Sequence, residues 1–113
     1  MKTLPYDKAK MEQIIKKYPT PFHIYDEAGI ISAAHNLQRA FQWNVGYKEY
    51  YAVKACPNPA ILKLLHRNGC GMDCSSETEL MLCEKLGITG EDIMFSSNDT
   101  PAHEFEYAAK IGA

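Results

Sequence analysis

The chain has 113 residues, of which 46% are apolar and 23% are charged, and its formal net charge is −2. This composition predicts one soluble globular domain and excludes the strongly basic surface that nucleic acids or an acidic membrane attract. Because no apolar run is long enough for a signal peptide or a membrane span, we expect a cytoplasmic protein without a membrane or nucleic-acid partner.

Three elements are predicted in the first part of the chain. Residues 5–18 have the periodicity of an amphipathic helix, which the two prolines of the following YPTP sequence end. The apolar residues expected on the inner face of this helix are Ala9, Ile14 and Ile15. Residues 22–25 predict a short strand, and Asp26 is the expected N-cap of a second helix over residues 27–42.

In the remainder of the chain, strand and helix alternate three times with a repeat of about twenty residues, which predicts parallel βαβ construction. The expected strands lie at residues 49–54, 71–74 and 92–95, and the expected helices lie at residues 59–67, 77–87 and 101–111. Ser76 and Glu79 fit a capping box at the start of the second of these helices. Right-handed crossovers would place the three strands side by side.

Two architectures fit this α/β pattern: an eightfold (β/α)8 barrel and an open, doubly wound sheet. A complete barrel needs roughly 250 residues, so a barrel would be incomplete in this chain. We therefore expect a single partial domain over residues 1–113, an N-terminal piece of a longer protein. Residues 1–46 would supply a helix, a strand and a helix, and residues 47–113 would supply three βα units.

Polar residues follow each of the three predicted strands. Lys54 ends the first strand, Asp73 ends the second, and residues 96–98 follow the third. Because functional groups gather at the carboxyl ends of parallel strands, we expect these side chains to meet on one rim of the sheet. Asp73 has a simpler alternative role, which is to cap the helix that follows it.

Lys54 interrupts a strand whose apolar and aromatic character predicts burial. Alternation along the strand places the small Ala52 on the same face as Lys54, which leaves room for a bulky group beside the amine. A buried amine tends to lose its charge, and only a neutral amine attacks an aldehyde. The alternative is a lysine at a strand end that extends its charge into solvent.

The cysteines do not indicate a metal site. Cys70 and Cys74, together with His66, come nearest to a set of metal ligands, but they lack the paired CxxC spacing of a zinc site. We expect no metal. In a cytosolic chain the four cysteines are expected as reduced thiols that pack as small apolar side chains.

Four sequence blocks resemble the fold-type III pyridoxal-phosphate decarboxylases. Residues 51–55 (YAVKA) are similar to the family segment that contains the cofactor lysine. Residues 69–80 (GCGMDCSSETEL) resemble the block G-x-G-x-D-x-x-S-x-x-E-L, and residues 93–98 (IMFSSN) resemble I-x-F-x-x-N. Residues 20–26 (TPFHIYD) resemble the entry segment T-P-x-x-x-Y-D. The blocks occur in the family's order and together extend over nearly the whole chain.

Within this family the blocks are most similar to the diaminopimelate decarboxylases, which implies conversion of meso-diaminopimelate to L-lysine and CO2. An ornithine- or arginine-type decarboxylase is one alternative, and a relative that binds the cofactor without catalysis is another. The related alanine racemases are disfavoured because Ala55 is followed by CPNP rather than by an A-x-Y-G-H-G-like stretch. Cys56 departs from the asparagine that is common at this position among the decarboxylases.

The resemblance also implies a cofactor, a fold and a set of site residues. Pyridoxal 5'-phosphate would bind covalently to Lys54 as the catalytic residue, Asp73 and Ala52 would line the cofactor site, and Glu79 would support it. The fold would be the first βα units of a (β/α)8 TIM barrel, with the strand at residues 20–25 joining a β-domain. The family acts on small amino-acid substrates as a homodimer. Its phosphate-binding and substrate-binding residues lie downstream, so the 113-residue chain alone is expected to be inactive.

Overall fold

The computed structural model describes residues 5–113, which contain five α-helices and three β-strands. The helices are α1 (Lys8–Lys17), α2 (Glu27–Ala40), α3 (Pro59–Arg67), α4 (Glu77–Lys85) and α5 (Ala102–Ile111). The strands are β1 (Tyr50–Ala52), β2 (Gly71–Cys74) and β3 (Ile93–Phe95). A short 3-10 turn follows β1 at Val53–Ala55, and another precedes β3 at Gly90–Asp92. None of the helices within residues 5–113 has the length and apolar character needed to cross a membrane.

Helix α1 forms where the sequence predicts it, but its predicted inner face is not buried. Asp7 caps the helix by accepting a hydrogen bond of 2.8 Å from the backbone N–H of Lys10. No residue of α1 is buried, and Ile15 is 44% exposed. The expectation of an inward face is therefore wrong for the described chain. An amphipathic pattern shows which side of a helix suits burial, but burial also needs a second element to pack against that side.

The strand predicted at residues 22–25 is also absent from the structure. These residues have no strand or helix assignment, and most of them are exposed. A strand needs a neighbour to accept and donate its backbone hydrogen bonds, and the described residues supply none here. The expected β-domain strand is thus not formed within residues 5–113.

Helix α2 begins at its predicted cap and ends two residues before its predicted end. The Asp26 carboxylate accepts a hydrogen bond of 3.1 Å from the N–H of Gly29. After Ala40 the chain turns, and the ring of Phe41 stacks on the ring of Tyr47 with 4.6 Å between centroids. This turn brings the chain back to enter β1.

The three strands form one parallel sheet in the order β1-β2-β3. Tyr50 lies opposite Gly71, and Met72 lies opposite Ile93. In both pairings the partner lies 21 residues further along the chain. Strands in sequence order, each joined to the next by one helix, are the arrangement of successive barrel units. The predicted α/β class and its three βα units are confirmed.

Within residues 5–113 the helices cover one face of this sheet and leave the other uncovered. Most side chains on that face are buried, and they include Val53, Met72, Cys74 and Ile93. Leu62 of α3 and Leu80 of α4 pack in the same core with no exposed surface. Strand alternation directs Ala52, Asp73 and Met94 to the opposite face, where Met94 is 49% exposed. We call this second surface the open face.

Candidate functional site

Lys54 lies at the carboxyl end of β1, where the predicted strand gives way to a 3-10 turn. Its neighbour Val53 is fully buried, whereas Lys54 itself is exposed. Of the two alternatives that the sequence left open, burial of the lysine is therefore wrong, and the structure has the exposed lysine at a strand end. Ladder pairing of β1 ends at Ala52, and the tight turn that follows projects the next side chain from the end of the sheet rather than from the middle of a strand.

A polar cleft of about 500 Å³ opens beside the Lys54 amine. It is lined by Lys54, Ser75, Ser96, Ser97, Asn98 and Asp99. Lys54, Ser75 and Ser96 are separated by 21 residues each, which is the step of the strand registers, so each follows its own strand at an equivalent position. The sequence prediction that polar groups meet on one rim of the sheet agrees with this arrangement.

Asp73 lies on the open face next to this cleft. It is directly opposite Ala52 in the pairing of β1 and β2. Its Oδ1 accepts a hydrogen bond of 2.6 Å from the Ser96 hydroxyl, and the backbone N–H of Ser96 donates to the carbonyl of Cys74 at 2.9 Å. Two of the residues predicted for the cofactor site, Asp73 and Ala52, are thus neighbours, and Ser96 links Asp73 to the cleft.

Glu79 supports the rim from the first turn of α4. Its Oε2 accepts a hydrogen bond of 2.8 Å from the backbone N–H of Ser75, and the Ser75 hydroxyl lies 3.3 Å from its Oε1. The predicted capping box is wrong in detail, because Ser76 occupies the N-cap position without a side-chain capping bond. The glutamate reaches one residue further back than a capping box requires, so it fixes a residue that lines the cleft.

A pair of thiols lies beneath the rim. Cys74 and Cys83 are fully buried, and their sulfur atoms are 3.6 Å apart. The hydrogen bond with Cys83, together with burial, raises the pKa of Cys74. The described cysteines are all free, as expected of reduced thiols. Neutral thiols in this position pack the interface between β2 and α4 as small apolar side chains.

An ion pair joins the segments that precede β1 and β3, at the end of the sheet away from the cleft. The Lys48 amine lies 2.6 Å from Asp92 Oδ1 and also donates to the carbonyl of Glu91 at 2.9 Å. The Tyr50 hydroxyl donates to the same carbonyl at 2.8 Å. The hydrogen bond between Lys48 and Asp92 raises the pKa of the amine and lowers the pKa of the carboxyl. These contacts fix the strands far from the cleft.

The side chains at the rim are suited to pyridoxal phosphate. The Lys54 amine is accessible to an aldehyde, and the neighbouring cleft presents hydroxyl and amide groups that can donate hydrogen bonds. The small Ala52 leaves space on the open face for a flat ring. Sequence reasoning did not foresee the bond between Ser96 and Asp73, although the 21-residue repeat and the pairing of Asp73 with Met94 contain the signal for it.

Comparisons with known proteins point to the same chemistry. Residues 27–113 match the family described as pyridoxal-dependent decarboxylase, pyridoxal binding domain. The chain is 48% identical over 103 residues to Protein TabA of Pseudomonas amygdali pv. tabaci, a match that covers 91% of this chain and 24% of that protein. The chain spans about a quarter of the length of the curated relatives it matches.

Two solved structures have the same arrangement of elements. The crystal structure of diaminopimelate decarboxylase from Helicobacter pylori complexed with L-lysine is 36% identical, with a TM-score of 0.79. That match covers 90% of this chain and 26% of the other. The crystal structure of ornithine decarboxylase from Entamoeba histolytica is 29% identical, with a TM-score of 0.80 over 93% of this chain and 33% of the other.

Proposed function

Because the chain belongs to the pyridoxal-dependent decarboxylase family and matches its pyridoxal-binding domain, we propose that it forms the part of an amino-acid decarboxylase in which Lys54 binds pyridoxal phosphate covalently. The observation that supports this assignment best is the position of Lys54. Its amine stands at the carboxyl end of β1, and the polar cleft lies beside it. In parallel α/β folds this end of the sheet is where ligands bind.

The chain's own residues have separate tasks in this proposal. The bound cofactor supplies an electron sink that stabilises negative charge on the substrate carbon when CO2 leaves. Lys54 would hold the cofactor through its primary amine, which is the side-chain group that condenses with an aldehyde. Asp73 places a carboxylate on the open face, and Ala52 opposite it leaves that face uncrowded. Glu79 holds the Ser75 N–H, which keeps the rim of the cleft in place.

The substrate we favour is meso-diaminopimelate, which would give L-lysine and CO2. Support comes from the sequence blocks around Lys54 and Asp73 and from the likeness to the H. pylori diaminopimelate decarboxylase, whose structure contains L-lysine. An ornithine- or arginine-type substrate is the alternative, and the likeness to the E. histolytica ornithine decarboxylase favours it. Release of CO2 from each amino acid, measured with the complete protein of which this chain is a part, separates the two.

The cofactor assignment is tested by trapping. The complete protein, of which this chain is a part, is incubated with pyridoxal phosphate, reduced with borohydride and digested, and the modified lysine is identified by mass spectrometry. We expect one adduct, on Lys54, and its loss in Lys54→Ala. Lys63→Arg, a substitution at an exposed lysine of α3, is the matched control and should leave the adduct unchanged. No adduct, or an adduct on a different lysine, would exclude this function.

A non-catalytic relative that keeps the cofactor lysine is the second candidate from the sequence. It predicts the adduct on Lys54 but no release of CO2 from any of the amino acids. We also propose that the complete protein is a cytoplasmic homodimer, as the family resemblance implies. Analytical ultracentrifugation of the cofactor-loaded protein measures the dimer, and a monomer at micromolar concentration would contradict it.

A further inference from the structure

We propose that Ser96 is a positioning residue, whose hydroxyl holds the Asp73 carboxylate in one orientation on the open face beside Lys54. This inference rests on the proposed function, in which Lys54 binds the cofactor. It adds a residue from a third strand to the site, and it assigns Ser96 a role that acts through Asp73.

The bond between Ser96 and Asp73 joins two points that are both fixed by the sheet. Asp73 lies within β2, where it is paired with Ala52 on one side and Met94 on the other. Ser96 follows β3, and its N–H continues the ladder by donating to the Cys74 carbonyl at 2.9 Å. Because Met94 and Ser96 are two residues apart, they face the same side of the sheet. The hydroxyl therefore reaches the carboxylate diagonally across neighbouring strands.

The length of this bond gives it an orienting effect. Ser96 Oγ and Asp73 Oδ1 are 2.6 Å apart, within the range of a strong O–H···O⁻ bond to an ionised acceptor. An aspartate carboxylate rotates broadly about its last side-chain bond, and such a donor selects one part of that range. Ser96 also lines the cleft that contains Lys54. The Asp73 carboxylate is thus held in one orientation by a residue that lines the same cleft as Lys54.

A purely structural role for Ser96 makes a different prediction. The ladder bond to Cys74 uses the Ser96 backbone, so it survives any change of the side chain. If only that backbone bond mattered, removal of the hydroxyl would have no effect on the binding of the cofactor. If the hydroxyl acts through Asp73, its removal should matter only while Asp73 is present.

The test is a double-mutant cycle in the complete protein, of which this chain is a part, with Ser96→Ala, Asp73→Ala and the two together. The probes are the dissociation constant of pyridoxal phosphate, from fluorescence quenching, and the rate at which borohydride fixes it on Lys54, from peptide mass spectrometry. We expect binding about tenfold weaker in Ser96→Ala, which is ~1.4 kcal/mol. Asp73→Ala should weaken cofactor binding at least as much, and the double variant should bind the cofactor no more weakly than Asp73→Ala.

A matched pair of substitutions keeps the test valid if the alanine variant fails to fold. Ser96→Thr retains the hydroxyl, and Ser96→Val gives a side chain of the same shape as threonine without the hydroxyl. Ser96 is exposed enough to accept either side chain. Threonine should restore binding to within about threefold of the original value, and valine should not. Ser32→Ala, at an exposed serine of α2, controls for loss of a surface hydroxyl.

The outcomes separate this inference from the function on which it rests. Additive effects of Ser96→Ala and Asp73→Ala, or equal binding by the threonine and valine variants, would overturn the positioning role while an adduct on Lys54 leaves the cofactor assignment intact. Absence of any adduct on Lys54 in the unaltered protein would overturn both.

Discussion

Replacement of Glu79 should show how the rim of the cleft is stabilised. In the structure the Glu79 carboxylate accepts from the Ser75 N–H at 2.8 Å, and the Ser75 hydroxyl lies 3.3 Å from its second oxygen. Glu79→Ala removes both contacts and leaves a half-buried N–H without its partner. An unpaired backbone donor costs about 1–2 kcal/mol at such a site, and the longer hydroxyl contact adds little.

Glu79→Gln separates the hydrogen bond from the charge. Glutamine keeps an oxygen that can accept from the Ser75 N–H, but it loses a negative charge in the first turn of α4. That charge interacts favourably with the helix N-terminus by about 0.5 kcal/mol at an exposed or half-buried site. We therefore expect the free energy of unfolding to fall by about 1–2 kcal/mol in Glu79→Ala and by about 0.5 kcal/mol in Glu79→Gln.

The assay is urea denaturation of the unaltered protein and both variants under one set of conditions. Glu106→Ala, which removes an exposed glutamate of α5, is the control and should change stability by less than about 0.5 kcal/mol. Equal losses in Glu79→Ala and Glu79→Gln would refute the reasoning, because they would show that charge, rather than the hydrogen bond to Ser75, stabilises the rim.

Three smaller experiments test other features of the structure. Gly71→Ala should lower the free energy of unfolding by about 1–3 kcal/mol in urea, because an added Cβ would lie 2.5 Å from Tyr50 Cδ1; unchanged stability would contradict that packing. Asp92→Asn should lower the free energy of unfolding by about 0.5–1 kcal/mol near neutral pH, because it removes the ion pair with Lys48. In the folded protein iodoacetamide should modify the half-buried Cys56 before the other three cysteines, which are buried; equal rates by peptide mass spectrometry would exclude this.

The pH dependence of the Asp92→Asn deficit follows from the two pKa directions. Lys48 holds the pKa of Asp92 below its usual 3.8, so the stabilisation is present above that value and is lost as the pH falls through the lower folded pKa. Asp92 holds the pKa of Lys48 above its usual 10.5, so the stabilisation is present below that value and is lost as the pH rises through the higher folded pKa. If Asp92→Asn were less stable than the unaltered protein only at acid or only at alkaline pH, the stabilising role of the Lys48–Asp92 ion pair would be contradicted.

Local sequence signals predicted most of the fold. The bounds of α3 and β2 match the structure to the residue, since their ends are marked by nearby residues. Asn58 caps α3 through a hydrogen bond to the N–H of Ala60, and Gly69 leaves the helix with a φ of 88° that favours glycine. The 21-residue step of the registers also appears in the sequence as a repeated pattern.

Features that depend on partners were predicted less well. The inner face of α1 and the strand at residues 22–25 both need another element to pack or pair with, and nothing in a local pattern says whether it is there. The exposure of Lys54 depends on the point at which β1 stops pairing, which is set by the neighbouring strand. The bond between Ser96 and Asp73 joins residues 23 apart, so it emerges only from the assembled sheet.

The constant step between strands determines where the chain can change length. An additional residue in a connecting turn, such as the one at the exposed Gly87, lengthens a loop and leaves the alternation of every strand unchanged. An additional residue inside β2 would reverse its two sides, so that Asp73 would turn into the apolar core and Cys74 would turn out of it. We therefore expect insertions to be accepted between the units and to disrupt the fold within the strands.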